Sequence, residues 1–166
     1  MGAQSAEAEF DAFYRATSRR VVHLVYGFTG DLTVAQDSTQ EAYAKAWQQW
    51  STVRAADDPL AWVRTVARRI AISNWRKRTT QERAYTRHGT HDTTGPPSED
   101  RVAIVAAMRE LPDPVREAVA LHYIGDLSID QIAHETNTPA GTIKARLHRG
   151  RALLAQALSP EENTHG

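Results

Sequence analysis

Residues 128–151, SIDQIAHETNTPAGTIKARLHRGR, decide the fold of the C-terminal part of the chain. Ser128 and Gln131 have the spacing of a capping box, which predicts a short helix over about residues 129–136. Asn137-Thr138-Pro139 then predicts a tight turn, with Thr138 as cap and Pro139 as the first residue of a longer helix to about residue 158. A short capped helix, a turn of about four residues and a second helix form the layout of a helix-turn-helix.

The longer helix of this pair is amphipathic and carries no acidic residue. At about 100° per residue, the positions predicted to be buried lie on one narrow arc of the helix: Ile143, Leu147, Gly150 and Leu154. The residues on the opposite, outward arc are Lys144, Ala145, His148, Arg149 and Ala152. Arg146 and Arg151 flank the buried arc, where long stems cover apolar surface while the charged heads reach outward.

The outward arc suits the major groove of DNA, which admits one helix and presents base edges to it. We expect Lys144 and Arg149 to donate to guanine acceptors. The positions better suited to phosphates are Arg146 and Arg151, and the small residues that allow close approach are Thr142 and Ala145. The alternative interpretation is an ordinary surface helix whose basic face is solvated.

Helical spacing of apolar residues recurs along the rest of the chain, and strand-like alternation is nearly absent. The spacing predicts N-terminal helices over about residues 6–28, 34–50 and 59–78, with Asp31 or Thr33 capping the second and Asp58 the third. The second helix has a predicted buried stripe of Ala35, Ala42, Tyr43, Ala46, Trp47 and Trp50. Helices over about residues 99–110 and 113–125, the latter capped by Asp113, precede the helix-turn-helix.

Residues 79–97 separate two predicted domains. This stretch is rich in Thr, Gly, Pro and Ser, has few apolar residues and shows no periodicity, which is typical of a linker. We therefore predict an all-α protein with two small helical domains, residues 6–78 and 98–158, joined by a flexible linker. The C-terminal domain is the helix-turn-helix domain.

The helix predicted over residues 59–78 combines cations with an aromatic ring. Its predicted buried face holds Val63, Val66, Ala67 and Ile70. The opposite arc carries Arg64, Thr65, Arg68, Ile72, Trp75 and Arg76, followed by Lys77 and Arg78. An exposed ring between cations suits unstacked bases, because rings stack on bases and cations neutralise phosphates. For Trp75, packing against the linker or the other domain remains open.

Composition excludes several classes of protein. The 166 residues include no cysteine, which removes disulfides, thiolate metal sites and cysteine nucleophiles. No apolar run approaches the ~18 residues of a membrane span, and the acidic N-terminus lacks the segments of a signal peptide, so we expect a cytoplasmic protein.

The net charge is zero, yet residues 10–78 carry eleven Lys or Arg against six Asp or Glu. A nucleic-acid partner is therefore compatible with the composition.

Nothing in the sequence points to catalysis, a metal or a cofactor. His88 and His91 lie three residues apart in the linker, but no rigid element fixes a third ligand beside them. No Gly-rich phosphate loop or Ser-His-Asp arrangement is apparent. We expect a protein that is not an enzyme.

Two pairs of motifs, in order, resemble the sigma-70 family of RNA polymerase initiation factors. LPDPVREAVALHYIGDL and SIDQIAHETNTPAGTIKARLHRGRALLAQAL resemble the C-terminal domain that reads the −35 promoter element. VAQDSTQEAYAKAWQQW and DDPLAWVRTVARRIAISNWRKR resemble the N-terminal domain that binds the polymerase and the −10 element. The resemblance covers about residues 8–158, and a chain with only these two domains is similar to the extracytoplasmic-function (ECF) subgroup.

The resemblance implies a sigma factor that binds bacterial RNA polymerase core and directs promoter recognition and transcription initiation. It implies polymerase contacts at Asp37, Gln40 and Glu41, and −35 contacts at Lys144, Ala145, His148 and Arg149. It places Arg64, Arg68, Arg76 and Lys77 along the −10 DNA and a flipped base near the loop from about Ser51 to Asp58. An anti-sigma factor is a common partner in the family. The chain departs from the family where it has Ser38, Arg69 and Ser73.

Two other functions remain as alternatives. A free-standing helix-turn-helix regulator would bind duplex DNA tightly without being a polymerase subunit. A helical adaptor would never contact DNA.

Overall fold

The structure is a computed structural model that describes residues 2–84 and 99–159. The chain divides into two compact units, Met1–Asp92 and Thr93–Gly166. Each unit is built from helices, and the described residues include no strand. The predicted all-α fold with two helical units is confirmed. Residues 85–97 of the predicted linker lie outside the described residues.

The N-terminal unit consists of α1 (Gly2–Thr29), α2 (Leu32–Gln48), α3 (Trp50–Arg54) and α4 (Pro59–Ala84). Asp31 caps α2, because its side-chain oxygen accepts a hydrogen bond from the backbone N–H of Val34 at 3.1 Å. Asp58 precedes α4 and accepts in the same way from the N–H of Ala61 at 3.2 Å. The core between α1, α2 and α4 contains many small residues, among them Ala35, Ala42, Ala46, Ala67 and Ala71. These alanines let the helix backbones approach closely.

α1 begins at Gly2, four residues before its predicted start, and two further boundaries in this unit differ from the sequence prediction. The predicted second helix divides at Gln49 into α2 and the short α3, so the first half of the predicted loop from Ser51 to Asp58 is helical. α4 continues to Ala84, which makes residues 79–84 of the predicted linker helical. Those residues contain neither Gly nor Pro, so nothing in the backbone ends the helix where the composition changes.

The C-terminal unit consists of α5 (Glu99–Arg109), α6 (Asp113–Val119), a π-helical turn (Ala120–Ile124), α7 (Ile129–Thr136) and α8 (Ala140–Leu158). Its core includes Leu111, Val115, Leu121, Ile132, Ile143 and Leu147. Gly150 lets α8 approach α6 closely, because a Cβ atom there would lie 3.2 Å from a methyl carbon of Val115 and closer still to Val119. The sequence analysis predicted that Gly150 lies on the buried face of α8, but it did not predict this close approach to α6.

Arg116 has a buried guanidinium that ties α6 to the residues before it. The guanidinium donates to the carbonyl oxygen of Leu111 at 3.2 Å and to the carboxylate of Asp113. α6 begins at Asp113 with Pro112 as its cap residue, so Asp113 lies in the first turn and not at the cap. The predicted cap was wrong by one residue.

The predicted helix-turn-helix forms as α7 and α8. The capping box is present: the Ser128 hydroxyl accepts from the Gln131 N–H at 3.1 Å, and the Gln131 side chain accepts from the Ser128 N–H at 2.8 Å. α7 ends at Thr136, and its C-cap residue Asn137 has a left-handed φ of 51°. Thr138 does not cap α8, because its hydroxyl donates to the carbonyl of Thr136 at 3.1 Å, and Pro139 is the cap residue.

Candidate nucleic-acid interface

The outward face of α8 is the first candidate site. Ile143 and Leu147 are each 1 % exposed and hold the helix against its unit. The exposed positions are Thr142, Lys144, Ala145, His148, Arg149 and Arg151, and Arg146 is half-buried beside them. The structure has the predicted division of α8 at the buried residues Ile143, Leu147 and Gly150, whereas Leu154, also predicted to be buried, is half-buried. The DNA contacts assigned to these residues stay a prediction.

Two features of α8 bear on how it can meet DNA. The Arg151 guanidinium donates to the Tyr123 hydroxyl at 3.1 Å, so the π-helical turn orients this cation. At Gly141 a Cβ atom would have no neighbour within 4 Å, so the first turn of α8 is open. Four cations on a helix without an acid, with an open N-terminal end, favour a polyanion as the partner.

α4 differs from the sequence prediction in the position of its buried face. Arg64 and Arg68, predicted on the outward arc, are 8 % and 5 % exposed. α4 packs against both α1 and α2, and a helix with two neighbours buries a wider arc than one apolar stripe. A guanidinium nitrogen of Arg64 lies 3.9 Å from the Asp58 carboxylate. The expectation that Arg64 and Arg68 face water was therefore wrong.

Trp75 and Ile72 are also less exposed than predicted. Trp75 is half-buried and packs against the core of its own unit, so its ring does not lie fully on the outward face as predicted. Ile72 is half-buried. Among the α4 side chains that the structure describes, residues 59–77, the exposed cations are Arg69, Arg76 and Lys77.

Sequence reasoning did not assign a role to Arg69. The signal that could have found it is its spacing of seven residues from Arg76, which places the two about 20° apart on α4.

The polar face of α2 is the third candidate surface. Asp37, Gln40 and Glu41 are exposed, as the sequence predicted. The Gln40 amide donates to the Tyr14 hydroxyl of α1 at 2.9 Å. Tyr14 packs edge-on against Tyr43, which is buried. Burial raises the pKa of Tyr43 above its ordinary value, so its phenol stays neutral at neutral pH.

Trp47 was predicted on the buried stripe of α2, and this was wrong. Its side chain is 44 % exposed, while Trp50 is buried. Trp47 follows Gln40 by seven residues and so lies only about 20° from it around the helix. The Trp47 ring contacts Phe10, with centroids 5.2 Å apart. Together they line an open depression of about 600 Å³ with Gln4, Glu7, Ala8 and Asp11.

Residues 2–84 and 99–159 contain neither a membrane-spanning helix nor a cluster of metal-ligating side chains. No helix there has both the length and the apolar character to cross a bilayer. Nor does any group of three or more His, Asp or Glu side chains in that part of the chain form a possible metal site. His88 and His91 lie outside the described residues.

Comparison with known proteins gives two family matches. The family model described as Sigma-70 region 2 matches residues 13–81, and that described as Sigma-70, region 4 matches residues 101–154. The first covers most of the N-terminal unit and the second includes the helix-turn-helix.

Relatives and solved structures agree with these matches. The chain is 28 % identical to the ECF RNA polymerase sigma factor SigK of Mycobacterium sp. (strain KMS), over 93 % of this chain and 87 % of that protein. It is 27 % identical to the ECF RNA polymerase sigma factor SigW of Bacillus subtilis (strain 168), over 95 % and 91 %.

Two solved structures share the fold. The sigma factor RpoE, in complex with the anti-sigma factor NepR from Bartonella quintana, has a TM-score of 0.74 and 21 % identity, over 93 % of this chain and 99 % of that one. CnrH, in complex with the cytosolic domain of CnrY, has a TM-score of 0.69 and 17 % identity, over 94 % and 93 %.

Proposed function

The chain belongs to the ECF subgroup of the sigma-70 family of RNA polymerase sigma factors, and from this membership we propose how its two units divide the work of promoter recognition. The N-terminal unit binds the polymerase core and the −10 element, and the C-terminal unit binds the −35 element. The observation that carries the proposal is the exposed face of α8, which presents cations without an acid above a buried anchor of Ile143 and Leu147.

In the C-terminal unit, α8 lies in the major groove at the −35 element. The outward residues that meet base edges are Thr142, Lys144, Ala145, His148 and Arg149. Arg146 and Arg151 flank this face and contact phosphates, which set the register of the helix and not its sequence preference. The Tyr123 hydroxyl holds Arg151 in place for such a contact.

In the N-terminal unit, the exposed cations Arg69, Arg76 and Lys77 of α4 contact the phosphates of the −10 DNA. Ile72 and Trp75 lie half-buried beside these cations and offer the edges of apolar side chains to unstacked bases. Arg64 and Arg68 are buried, so in this conformation they suit the support of α4 better than a contact with phosphate.

The polymerase core binds the outward face of α2. Asp37, Gln40 and Glu41 supply the polar contacts, and the exposed Trp47 extends the same face by two turns. A large aromatic side chain at the edge of a polar surface is the kind of residue that contributes strongly to protein–protein binding. The sequence prediction omitted Trp47 because it placed the ring in the core.

The partners and location follow from the same proposal. The protein acts in the cytoplasm as a subunit of RNA polymerase and catalyses no reaction of its own. Of the similar solved structures, RpoE was determined in complex with the anti-sigma factor NepR, and CnrH in complex with the cytosolic domain of CnrY. We propose that an anti-sigma protein also controls this chain by covering the surfaces that polymerase and DNA need.

The test is reconstitution with RNA polymerase core. The full chain is added to core enzyme and genomic DNA, and the 5′ ends of the transcripts are mapped. We expect specific start sites that core alone does not give. Transcripts no different from those of core alone would contradict the proposal, and tight duplex binding without core would favour the free-standing regulator.

A further inference from the structure

A hydrogen bond between helices holds one residue of the polymerase-binding face. Gln40 is exposed on α2, and its side-chain amide donates to the Tyr14 hydroxyl of α1 at 2.9 Å. The two residues are 26 positions apart in the chain. The orientation of this amide therefore depends on a helix outside the polymerase-binding motif.

Tyr14 has little freedom to move in this position. Its ring packs edge-on against the ring of Tyr43, with centroids 4.9 Å apart and an angle of 84° between the planes. Tyr43 is 2 % exposed, and its hydroxyl is hydrogen-bonded to Thr17 of α1. The Thr17 hydroxyl also donates to the carbonyl oxygen of Phe13 at 2.7 Å. Because the single Thr17 proton is used there, the Tyr43 hydroxyl is the donor to Thr17.

The consequence for Gln40 is an amide with a preferred orientation. A Gln amide has two N–H groups and one carbonyl oxygen. With one N–H bound to Tyr14, the other N–H and the carbonyl oxygen remain for a partner. Binding normally costs free energy to order such a long side chain, and prior ordering lowers that cost.

We propose that Tyr14 is a positioning residue for polymerase binding: its hydroxyl orients the Gln40 amide before the core enzyme arrives. This inference rests on the proposed role of Gln40 in binding the core. Tyr14 acts through Gln40 and needs no contact of its own with the polymerase.

The experiment is a double-mutant cycle on the full chain. Four proteins are titrated against RNA polymerase core labelled with a fluorophore: the original, Tyr14→Phe, Gln40→Ala and the double variant. Tyr14→Phe removes the hydroxyl but keeps the ring against Tyr43. We expect it to raise the Kd for core by about two- to tenfold, the cost of ordering one long side chain on binding. In the Gln40→Ala background we expect Tyr14→Phe to have no further effect.

A control and a stability measurement separate positioning from folding. Tyr26→Phe removes a hydroxyl from the same helix about 18 Å away and should leave the Kd unchanged. The thermal unfolding midpoint of Tyr14→Phe should stay within about 3 °C of the original, because the ring remains in place and only one exposed hydrogen bond is lost.

Each unfavourable outcome identifies what has failed. If Gln40→Ala leaves the Kd unchanged, the proposed role of Gln40 fails, and this inference fails with it. If Gln40→Ala weakens binding but Tyr14→Phe does not, only the positioning role is overturned. If Tyr14→Phe weakens binding equally with and without Gln40, Tyr14 does not act through Gln40, and the inference is overturned.

Discussion

Ser38 is a polar residue in the core of the N-terminal unit. Its side chain is fully buried on α2, and among the described residues its hydroxyl has no hydrogen-bond partner. A buried polar group without a partner destabilises the fold by roughly 1–3 kcal/mol. We therefore expect Ser38→Ala to stabilise the N-terminal unit by about 1 kcal/mol, since alanine removes the hydroxyl and favours the helix.

The effect of Ser38→Ala on the free energy of unfolding can be measured for the N-terminal unit within the intact chain. All four tryptophans lie between residues 47 and 75, so tryptophan fluorescence during urea unfolding reports on the N-terminal unit. The matched control is Ser73→Ala, which removes an exposed hydroxyl from α4 with the same gain in helix propensity. If the two variants are equally stable, burial of the Ser38 hydroxyl has no cost.

At the level of helices, the sequence predicted α8 well and α4 poorly. On α8 the apolar residues Ile143 and Leu147 and the cations fall on opposite arcs, so the spacing fixes both faces. On α4 the buried arc also includes Arg64 and Arg68, because α1 and α2 both pack against this helix. How many helices pack against α4 depends on the tertiary structure, and the spacing of apolar residues along the sequence does not show it. Trp47 was misplaced for a related reason, since it lies at the edge of the buried arc of α2.

Glycines at two positions of α8 give a prediction at the same scale. Gly150→Ala should destabilise the C-terminal unit by about 1–3 kcal/mol, because the added methyl group overlaps Val119 on α6. This overlap outweighs the gain in helix propensity of about 1 kcal/mol. Gly141→Ala is the matched control, since a methyl group there meets nothing within 4 Å and should be neutral or stabilising.

The measurement for this pair is amide hydrogen exchange of α8 in the full chain. We expect faster exchange of the α8 core amides in Gly150→Ala and unchanged or slower exchange in Gly141→Ala. Equal protection in both variants would show that α6 and α8 can separate without cost, contrary to the close approach at Gly150.

For the whole molecule, the zero net charge conceals an uneven distribution. Residues 10–78 carry the larger excess of cations, and α8 carries four more without an acid. Each basic face is small, so each unit alone should bind DNA weakly and with strong dependence on salt. Attachment of both units to one polymerase raises the effective concentration of each at the promoter without any new contact. Tight binding to the promoter is then expected of both units together on the polymerase, and not of either unit alone.

If the units divide the work in this way, their binding residues should affect separate steps. We expect Glu41→Ala to raise the Kd for polymerase core and leave the preference among −35 sequences unchanged. We expect Arg149→Ala to leave the Kd for core unchanged and to lower promoter use by roughly tenfold, because it removes a base contact of about 1–3 kcal/mol. Controls are Arg19→Ala on α1 and Gln156→Ala on α8, both exposed and outside the proposed binding residues.

The double variant tests the independence of the two sites. The sites share no helix, so the free-energy losses from Glu41→Ala and Arg149→Ala should add within about 0.5 kcal/mol in transcription at subsaturating polymerase. Core binding is measured by fluorescence titration, and promoter use by transcript yield on templates that differ only in the −35 element. A large loss of core affinity in Arg149→Ala would mean that α8 contacts the polymerase directly, and the division of work between the two units would then be wrong.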